Sequence, residues 1–218
     1  LKRNEKIRQQ WLRSIAHDLN TPVTALKISI EGVIDNVLPI DDTLLSRMQR
    51  ELEDLERRVA SVLTLSAMED LDYGIRLEKI DPLEFIDEVV ETLSLDKRIL
   101  LDVSIDSFTG DKRLLIPACR ELLINGGKYS PKESVITWRL FPSKEENRSI
   151  VMEFENVGQV DADTLDQVFD PWVRGDQARN SEGSGLGLSI VRQAIQLHYG
   201  ESSMYNSEDG HVVVRVTW

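Results

Sequence analysis

Apolar residues step through the first part of the chain at alternating intervals of four and three: Leu12, Ala16, Leu19, Val23, Leu26, Ile30, Val33 and Val37. That spacing is a narrow helical seam, a single stripe along a long helix. Leu38-Pro39-Ile40-Asp41-Asp42 interrupts it, because proline breaks the helix and the aspartates offer N-caps for a new one. A second seam follows at Leu45, Met48, Leu52, Leu55, Val59, Val62 and Ser66, widened by Leu44, Leu63 and Leu65. The pattern predicts two long antiparallel helices joined by a short turn. A lone hairpin leaves much of its apolar face wet, whereas two copies packed as a four-helix bundle cover it. A homodimer is the expected state.

Around Glu69–Gly74 the pattern changes, and strands begin to mix with helices. Strands are expected at Ile75–Ile80, Ile99–Ile105, Val135–Phe141, Ser149–Glu155, Ser202–Asn206 and Val212–Trp218. The third and fourth of these should form a hairpin around Ser143–Arg148. Helices are expected at Pro82–Leu93, with Asp81 as N-cap and Pro82 at the first helical position, and at Asp111–Lys128, Ala162–Phe169 and Leu186–Tyr199. Pro117 weakens the first turns of the second of these. Several strands with three or four helices suggest an α+β chain: the helical hairpin, then a two-layer α/β sandwich with helices on one face. The expected division is residues 1–68 for the hairpin, 69–74 for a linker and 75–218 for the sandwich.

Composition narrows the function. The net charge is −12, and all of the acidic excess falls after residue 68, which makes the body a poor nucleic-acid binder. An anionic ligand would have to be held locally, by backbone amides, a helix N-terminus and a metal ion. Cys119 is the single cysteine, so no internal disulfide and no cysteine metal cluster can form, which fits the cytosol. His17, His198 and His211 are too scattered for a zinc site. No apolar run is long enough to span a membrane. The chain opens on Leu1, so a fragment is expected, with any membrane anchor upstream of it.

Two short strings bear chemistry. Residues 17–22 read His-Asp-Leu-Asn-Thr-Pro. His17 follows the seam position Ala16, so it faces away from the bundle core. Neutral imidazole is a competent nucleophile near neutral pH, its ordinary pKa being about 6.5. Asp18 is suited to accept the imidazole N–H and fix the tautomer. Thr21 lies one turn on, with a hydroxyl able to position water. Pro22 removes a helical N–H and should kink or loosen the helix. A histidine on a helix is, equally, a common solvated side chain. The second string, Gly183-Ser-Gly185-Leu186-Gly187-Leu-Ser, is a glycine-rich turn opening a helix, the kind of element whose amides cradle phosphate. Alone it is a weak signal, since any loop-to-helix junction can carry it. Between the two strings, Glu121 and Asn125 stand four residues apart and project from one helical face. A carboxylate and an amide oxygen, completed by waters, suit octahedral Mg²⁺.

The order of these strings is more specific than any one of them. Arg-Ser-Ile-Ala-His17-Asp-Leu-Asn-Thr-Pro resembles the H-box of sensor histidine kinases, with Ala16, Asp18 and Asn20 where that family usually has Ser, Glu and Arg. Glu121-Leu-Leu-Ile-Asn125-Gly-Gly-Lys128-Tyr129 resembles its N-box, and the resemblance implies Mg²⁺ at Asn125 with Lys128 and Tyr129 reaching phosphate and nucleotide. Glu155-Asn156-Val157-Gly158-Gln159-Val160 falls where the family has Asp-x-Gly-x-Gly. Asn156 with Gly158 is the preferred match to the adenine-binding Asp and first Gly, and Glu155 is the alternative. Phe169-Asp-Pro-Trp172-Val-Arg174 resembles the F-box beside the nucleotide lid, where Arg174 either touches phosphate or is a solvated charge. Gly183, Gly185, Leu186 and Gly187 fall in the G2 box.

The resemblance covers nearly the whole chain. It implies an ATP- and Mg²⁺-dependent kinase that phosphorylates His17, with Asp18 as base, and passes the phosphoryl group to an aspartate of a response regulator receiver domain. A phosphatase role toward that regulator would use Thr21. It also implies the cytoplasmic portion of an inner-membrane sensor. Two rivals remain open. Glu121 occupies a position that, in related chaperone and topoisomerase ATPases, holds a general base. The imperfect match at residues 155–160 suits a binding module that does not turn over.

Overall fold

The computed structural model describes residues 2–69, 74–91, 93, 98–145, 149–171, 173 and 185–218, with the side chains of 2–14, 18 and 69 excepted. They divide into two compact units, one ending at Thr64 and one running from Leu65 to Trp218.

The first unit is the helical hairpin. Helix α1 spans Lys2–Ile34 and α2 spans Asp42–Glu69, whose last turns pass into the second unit. α1 ends three residues before Val37, the final position of the first seam. Asn36 takes a positive φ of 56°, the amides of Val37 and Leu38 both donate to the Gly32 carbonyl, and Val37 is left 74% exposed in the turn. Asp41 caps α2, accepting from the Leu44 amide at 2.8 Å. Between the helices, Arg47 Nη donates to Ser29 Oγ at 3.0 Å. The inner face buries Pro22, Ser29, Leu44, Asp54, Arg58 and Ser61. The seam positions Val23, Ile30, Leu45, Leu52 and Val59 are exposed in the single chain. The apolar stripe is therefore the face that one hairpin cannot cover by itself.

The second unit is a sheet layer with helices on it. β1 (Glu78–Ile80) pairs antiparallel with β3 (Phe108–Gly110) as a separate two-stranded ribbon. The main sheet has the order β2-β4-β5-β7-β6, formed by Arg98–Val103, Val135–Pro142, Ile150–Val157, His211–Thr217 and Glu201–Asn206. β2 and β4 run parallel and the other neighbours antiparallel. The helices are α3 (Pro82–Val90), α4 (Lys112–Tyr129), α5 (Ala162–Leu165) and α6 (Gly187–Leu197). The fold is thus α+β as expected. Asp81 caps α3, accepting from the amides of Leu83 and Glu84, with Pro82 at the first helical position. β3 was not expected, and the first strand is shorter than Ile75–Ile80 because only three residues of β3 are there to pair with it. α5 stops at Leu165, and turns carry the chain to Phe169. β4 and β5 form the expected hairpin, with residues 146–148 of its connection outside the described residues.

Alternation along β4 and β5 turns Ile136, Trp138, Leu140, Met152 and Phe154 onto the core face. Trp138 stacks on Phe154 with centroids 4.8 Å apart, and Phe85 from α3 meets Trp138 edge-on at 6.2 Å. Phe108 bridges Phe85 and Trp218 edge-on at 5.4 and 6.0 Å, tying the small ribbon to the end of the chain. On the other sheet face the corresponding row is charged. Glu153 lies between Arg139 at 3.8 Å and Arg215 at 2.7 Å, so opposite charges alternate across three strands.

Candidate functional site

On α1, His17 is exposed, and Thr21 Oγ donates to the His17 carbonyl at 3.2 Å. α1 remains helical through Pro22, which is buried. Asp18 follows His17 in the helix, and its side chain lies outside the described residues.

In the second unit α4 organises the site. Its N-terminus is fixed by Asp111, whose carboxylate accepts from the amides of Arg76 and Arg113 at 2.8 and 3.1 Å. Burial pushes the Asp111 carboxyl up, but the Arg113 guanidinium and these amides outweigh it and hold the group below the usual carboxylate range. Asp111 N–H donates to His198 Nε2 at 2.9 Å, and His198 Nδ1 meets the Ala194 carbonyl at 2.7 Å. This locks the start of α4 to the end of α6. Pro117 is accommodated in the second turn of α4 without ending the helix. Cys119 is fully packed, and burial pushes its thiol far above the ordinary range, so it is inert packing.

The last two turns of α4 face two glycine-bearing segments. A Cβ placed on Gly187, the first residue of α6, would run into the Glu121 carboxylate and come within 3.4 Å of Asn125 Nδ2. The absence of a side chain lets α6 begin directly against both residues. A Cβ on Gly126 would stand 3.5 Å from Asn156 Oδ1, and one on Gly158 would stand 3.5 Å from the Tyr129 carbonyl and 3.7 Å from Asn156 Nδ2. Gly158 has φ 152° and Gly185 has φ 70°, conformations that favour glycine. Thus Glu121, Asn125, Gly126, Tyr129, Asn156, Gly158 and Gly187 converge, drawn from α4, the end of β5 and the start of α6.

Strand alternation separates the two candidates at the end of β5. Asn156 is on the α4 side, with Nδ2 donating to the Val157 carbonyl at 3.1 Å. Glu155 is on the opposite face, paired with Arg139 at 2.5 Å and 3.9 Å from His211 Nδ1. Leu186 is fully buried, and Ser189 Oγ donates to its carbonyl at 2.7 Å, so this residue anchors the start of α6 and can meet a ligand only through its backbone. Lys128 and Tyr129 are exposed, with Lys128 Nζ 5.0 Å from the Tyr129 ring centroid. Arg174, Gly183 and Trp172 lie outside the described residues. Among the described residues no three acidic, histidine or cysteine side chains gather as a metal cluster, and no helix is long and apolar enough to cross a membrane.

Two features went unread in the sequence. Gly126 lets Ile136 and Asn156 pack directly against α4, and the signal was two consecutive glycines at 126–127 in an otherwise good helix. On α2 a buried cluster of Asp54 and Arg58 interrupts the apolar pattern, and Asp-x-x-Arg-Arg between Leu52 and Val59 was its mark.

Residues 7–71 match the family model described as the His Kinase A phospho-acceptor domain, and residues 110–218 match the model of histidine kinase-, DNA gyrase B- and HSP90-like ATPases. The chain belongs to the sensor histidine kinase family. Among curated relatives, the sensor histidine kinase WalK of Bacillus subtilis is 25% identical over 206 residues, covering 89% of this chain and 34% of WalK. The chain spans 24% of the sensor protein KdpD of Clostridium acetobutylicum and 53% of the sensor protein SphS of Synechococcus elongatus, so it matches only part of such relatives. Of solved structures, the Acinetobacter baumannii histidine kinase AdeS aligns with TM-score 0.75 at 22% identity, over 92% of this chain and 96% of AdeS. Histidine kinase ThkA, solved in complex with the response regulator protein TrrA, aligns with TM-score 0.75 at 17% identity, over 99% of this chain and 63% of that one. At such identities these structures speak for the fold of a histidine kinase core.

Proposed function

We propose that this histidine kinase core moves the γ-phosphoryl group of ATP to His17 and passes it to an aspartate of a response regulator receiver domain. The observation that carries the reading is the convergence of Glu121 and Asn125 on the Cβ-free start of α6, beside the slot formed by Gly126, Asn156 and Gly158. A purine placed beside this slot would have the Asn156 amide at its edge. Because Nδ2 is held by the Val157 carbonyl, Oδ1 is the end left to accept from an exocyclic amino group. The amides opening α6 then meet the phosphates.

Glu121 and Asn125 suit a Mg²⁺ ion, one carboxylate and one amide oxygen on a single helical face, the rest of the shell coming from water and phosphate. Bound there, the ion would offset charge on the phosphates as the γ-phosphoryl group departs. At His17, the unprotonated imidazole nitrogen forms the new N–P bond, the bond from phosphorus to the β,γ-bridging oxygen breaks, and ADP leaves. Asp18 accepts the proton from the other ring nitrogen. Positioning and electrostatics supply most of the rate.

The chain acts as a homodimer, because the exposed stripe of Val23, Ile30, Leu45, Leu52 and Val59 is what a second hairpin would cover. Residues 1–68 form the dimerisation and phosphoacceptor domain and 75–218 the ATP-binding domain. The assembly is the cytoplasmic part of a longer sensor. Thr21 serves a phosphatase activity toward the regulator. The orientation of the Glu121 carboxylate toward Gly187 also favours a second reading, in which it activates water and the chain hydrolyses ATP.

Incubation with γ-labelled ATP and Mg²⁺ tests the proposal. The expected product is an acid-labile, base-stable protein phosphate that His17→Gln abolishes while nucleotide affinity stays intact. Phosphate on His198 or His211 in that variant, or release of free phosphate alone, overturns it.

A further inference from the structure

Arg58 is a charged residue on the inner face of the hairpin, 9% exposed, in a position where an apolar side chain would otherwise pack. Asp54, one turn earlier and 7% exposed, holds it: Arg58 Nε donates to Asp54 Oδ2 at 2.6 Å, and Nη2 lies 2.6 Å from the same oxygen. Arg57 pairs with the other carboxylate oxygen. Burial pushes the Asp54 carboxyl up, and the hydrogen bonds from the two arginines outweigh it, so the group stays ionised. One carboxylate against two guanidinium groups leaves the cluster positive.

The level of this cluster along α1 follows from the Arg47–Ser29 hydrogen bond, which fixes the antiparallel register. Seven residues, about two turns, beyond that pair lie Asp54 on α2 and Pro22 on α1, both buried. Eleven residues, about three turns, beyond it lie Arg58 on α2 and Asp18 on α1. Both spacings return to the same helical face, so Arg58 stands level with the peptide of Asp18.

That peptide has a defect written into the sequence. In an α-helix the carbonyl of residue 18 would accept from the amide of residue 22, and Pro22 has no amide hydrogen. The neighbouring His17 carbonyl accepts from the Thr21 hydroxyl as well. In a helix that carbonyl lies on the turn it shares with Pro22, and Pro22 is buried on the inner face of the hairpin. A carbonyl deprived of its helical donor gains from a new one, and a guanidinium with five N–H groups in a fixed fork is well suited to reach it while remaining bound to a carboxylate.

We propose that Arg58, oriented by Asp54, donates to the Asp18 carbonyl that Pro22 leaves without its helical partner, and thereby positions the turn of α1 that presents His17. Arg58 is a positioning residue, and its effect on transfer rests on the reading of His17 as phosphoacceptor.

The test is a double-mutant cycle between Arg58→Leu and Pro22→Ala in the full chain. Arg58→Leu leaves Asp54 paired with Arg57, and Pro22→Ala restores the missing amide donor. Arg58→Leu alone is expected to slow phospho-His17 formation at saturating ATP at least tenfold, with KM for ATP unchanged. In the Pro22→Ala background the same change is expected to cost less than twofold. The same coupling should appear in the urea midpoint of the helical circular dichroism signal, a readout that needs no activity: the midpoint falls with Arg58→Leu alone and stays within error of its parent when Pro22→Ala is present. Arg58→Lys, which keeps the charge but not the fork, should behave like Arg58→Leu. Equal effects of Arg58→Leu in both backgrounds overturn the proposal, as does full rescue by Arg58→Lys. If the unaltered chain forms no phospho-His17, the functional reading fails instead, and the urea cycle still decides whether Arg58 serves the Asp18 carbonyl.

Discussion

Replacing Gly126 by alanine should separate the fold from the site. Two terms act on stability. Alanine in place of glycine near the end of α4 favours the helix by about 1 kcal/mol. Against this, the new methyl meets Ile136 Cδ1 at 3.2 Å, closer than an ordinary contact, so the end of that buried side chain must move by a few tenths of an ångström. An off-rotamer shift of this kind costs about 0.5–1.5 kcal/mol. The terms nearly cancel, and for a unit of this size a residual of about 1 kcal/mol moves Tm by about 2–4 °C. Ligand binding has no such compensation. The methyl stands 3.5 Å from Asn156 Oδ1, against the amide whose oxygen is proposed to meet the base. Loss of one close contact of this kind corresponds to at least a tenfold weaker Kd, about 1.4 kcal/mol. Thermal melts followed by calorimetric titration with Mg-ATP measure both. Unchanged affinity at unchanged Tm would show that the slot beside Asn156 is not where the base sits. A fall in Tm of more than about 10 °C would refute the packing argument.

Glu121→Gln removes a charge but keeps the shape, and in a kinase it should weaken Mg-ATP binding or phospho-His17 formation. In the His17→Gln background, brisk ATP hydrolysis that collapses on adding Glu121→Gln would favour the hydrolase reading. Thr21→Ala should retain autophosphorylation and lose phosphatase activity toward the cognate regulator, and equal loss of both would make Thr21 structural, through its bond to the His17 carbonyl. Leu52 is 48% exposed in the single chain, so Leu52→Ala should cost the dimer about 2–5 kcal/mol and an isolated hairpin little, and a monomeric parent chain at micromolar concentration by light scattering would contradict this. Burial lowers the His198 pKa, opposed by the Ala194 carbonyl and the Asp111 charge, so below about pH 6.5 the unfolded chain takes up a proton that the folded one resists. Stability of the ATP-binding unit should therefore be full above that pH and fall below it, with a urea midpoint lower at pH 5.5 than at pH 7.5 and a smaller difference in His198→Gln.

How much of this was legible in the sequence depended on the length scale of the interaction. The hairpin could be read because a seam repeats over many turns, and the caps at Asp41 and Asp81 because capping is settled within three residues. β3 could not be read, since three residues carry too little alternation to register and its partner β1 is as short. The seams were visible as apolar stripes, but which face of each helix meets the other within one chain was not. The answer came from polar residues, Ser29 with Arg47 and Asp54 with Arg58, that a search for hydrophobic periodicity passes over.

The choice between Glu155 and Asn156 is the sharper case. Adjacent residues on a strand point to opposite faces, so a one-residue uncertainty in aligning a degraded motif is a choice between the helix side of the sheet and the other side. Motif spacing cannot tell which face each residue takes, but charge pairing across strands can. Register places Arg139 opposite Glu153 and Thr137 opposite Glu155, and the Arg139 guanidinium reaches both carboxylates. Those two acids must then share a face, and Asn156 between Glu155 and Val157 is turned to α4. The same alternation explains how a neutral amide can stand at the head of the slot. Because its Nδ2 already serves the Val157 carbonyl, the side chain is oriented before any ligand arrives, and it presents an acceptor without a buried charge that would itself need a partner.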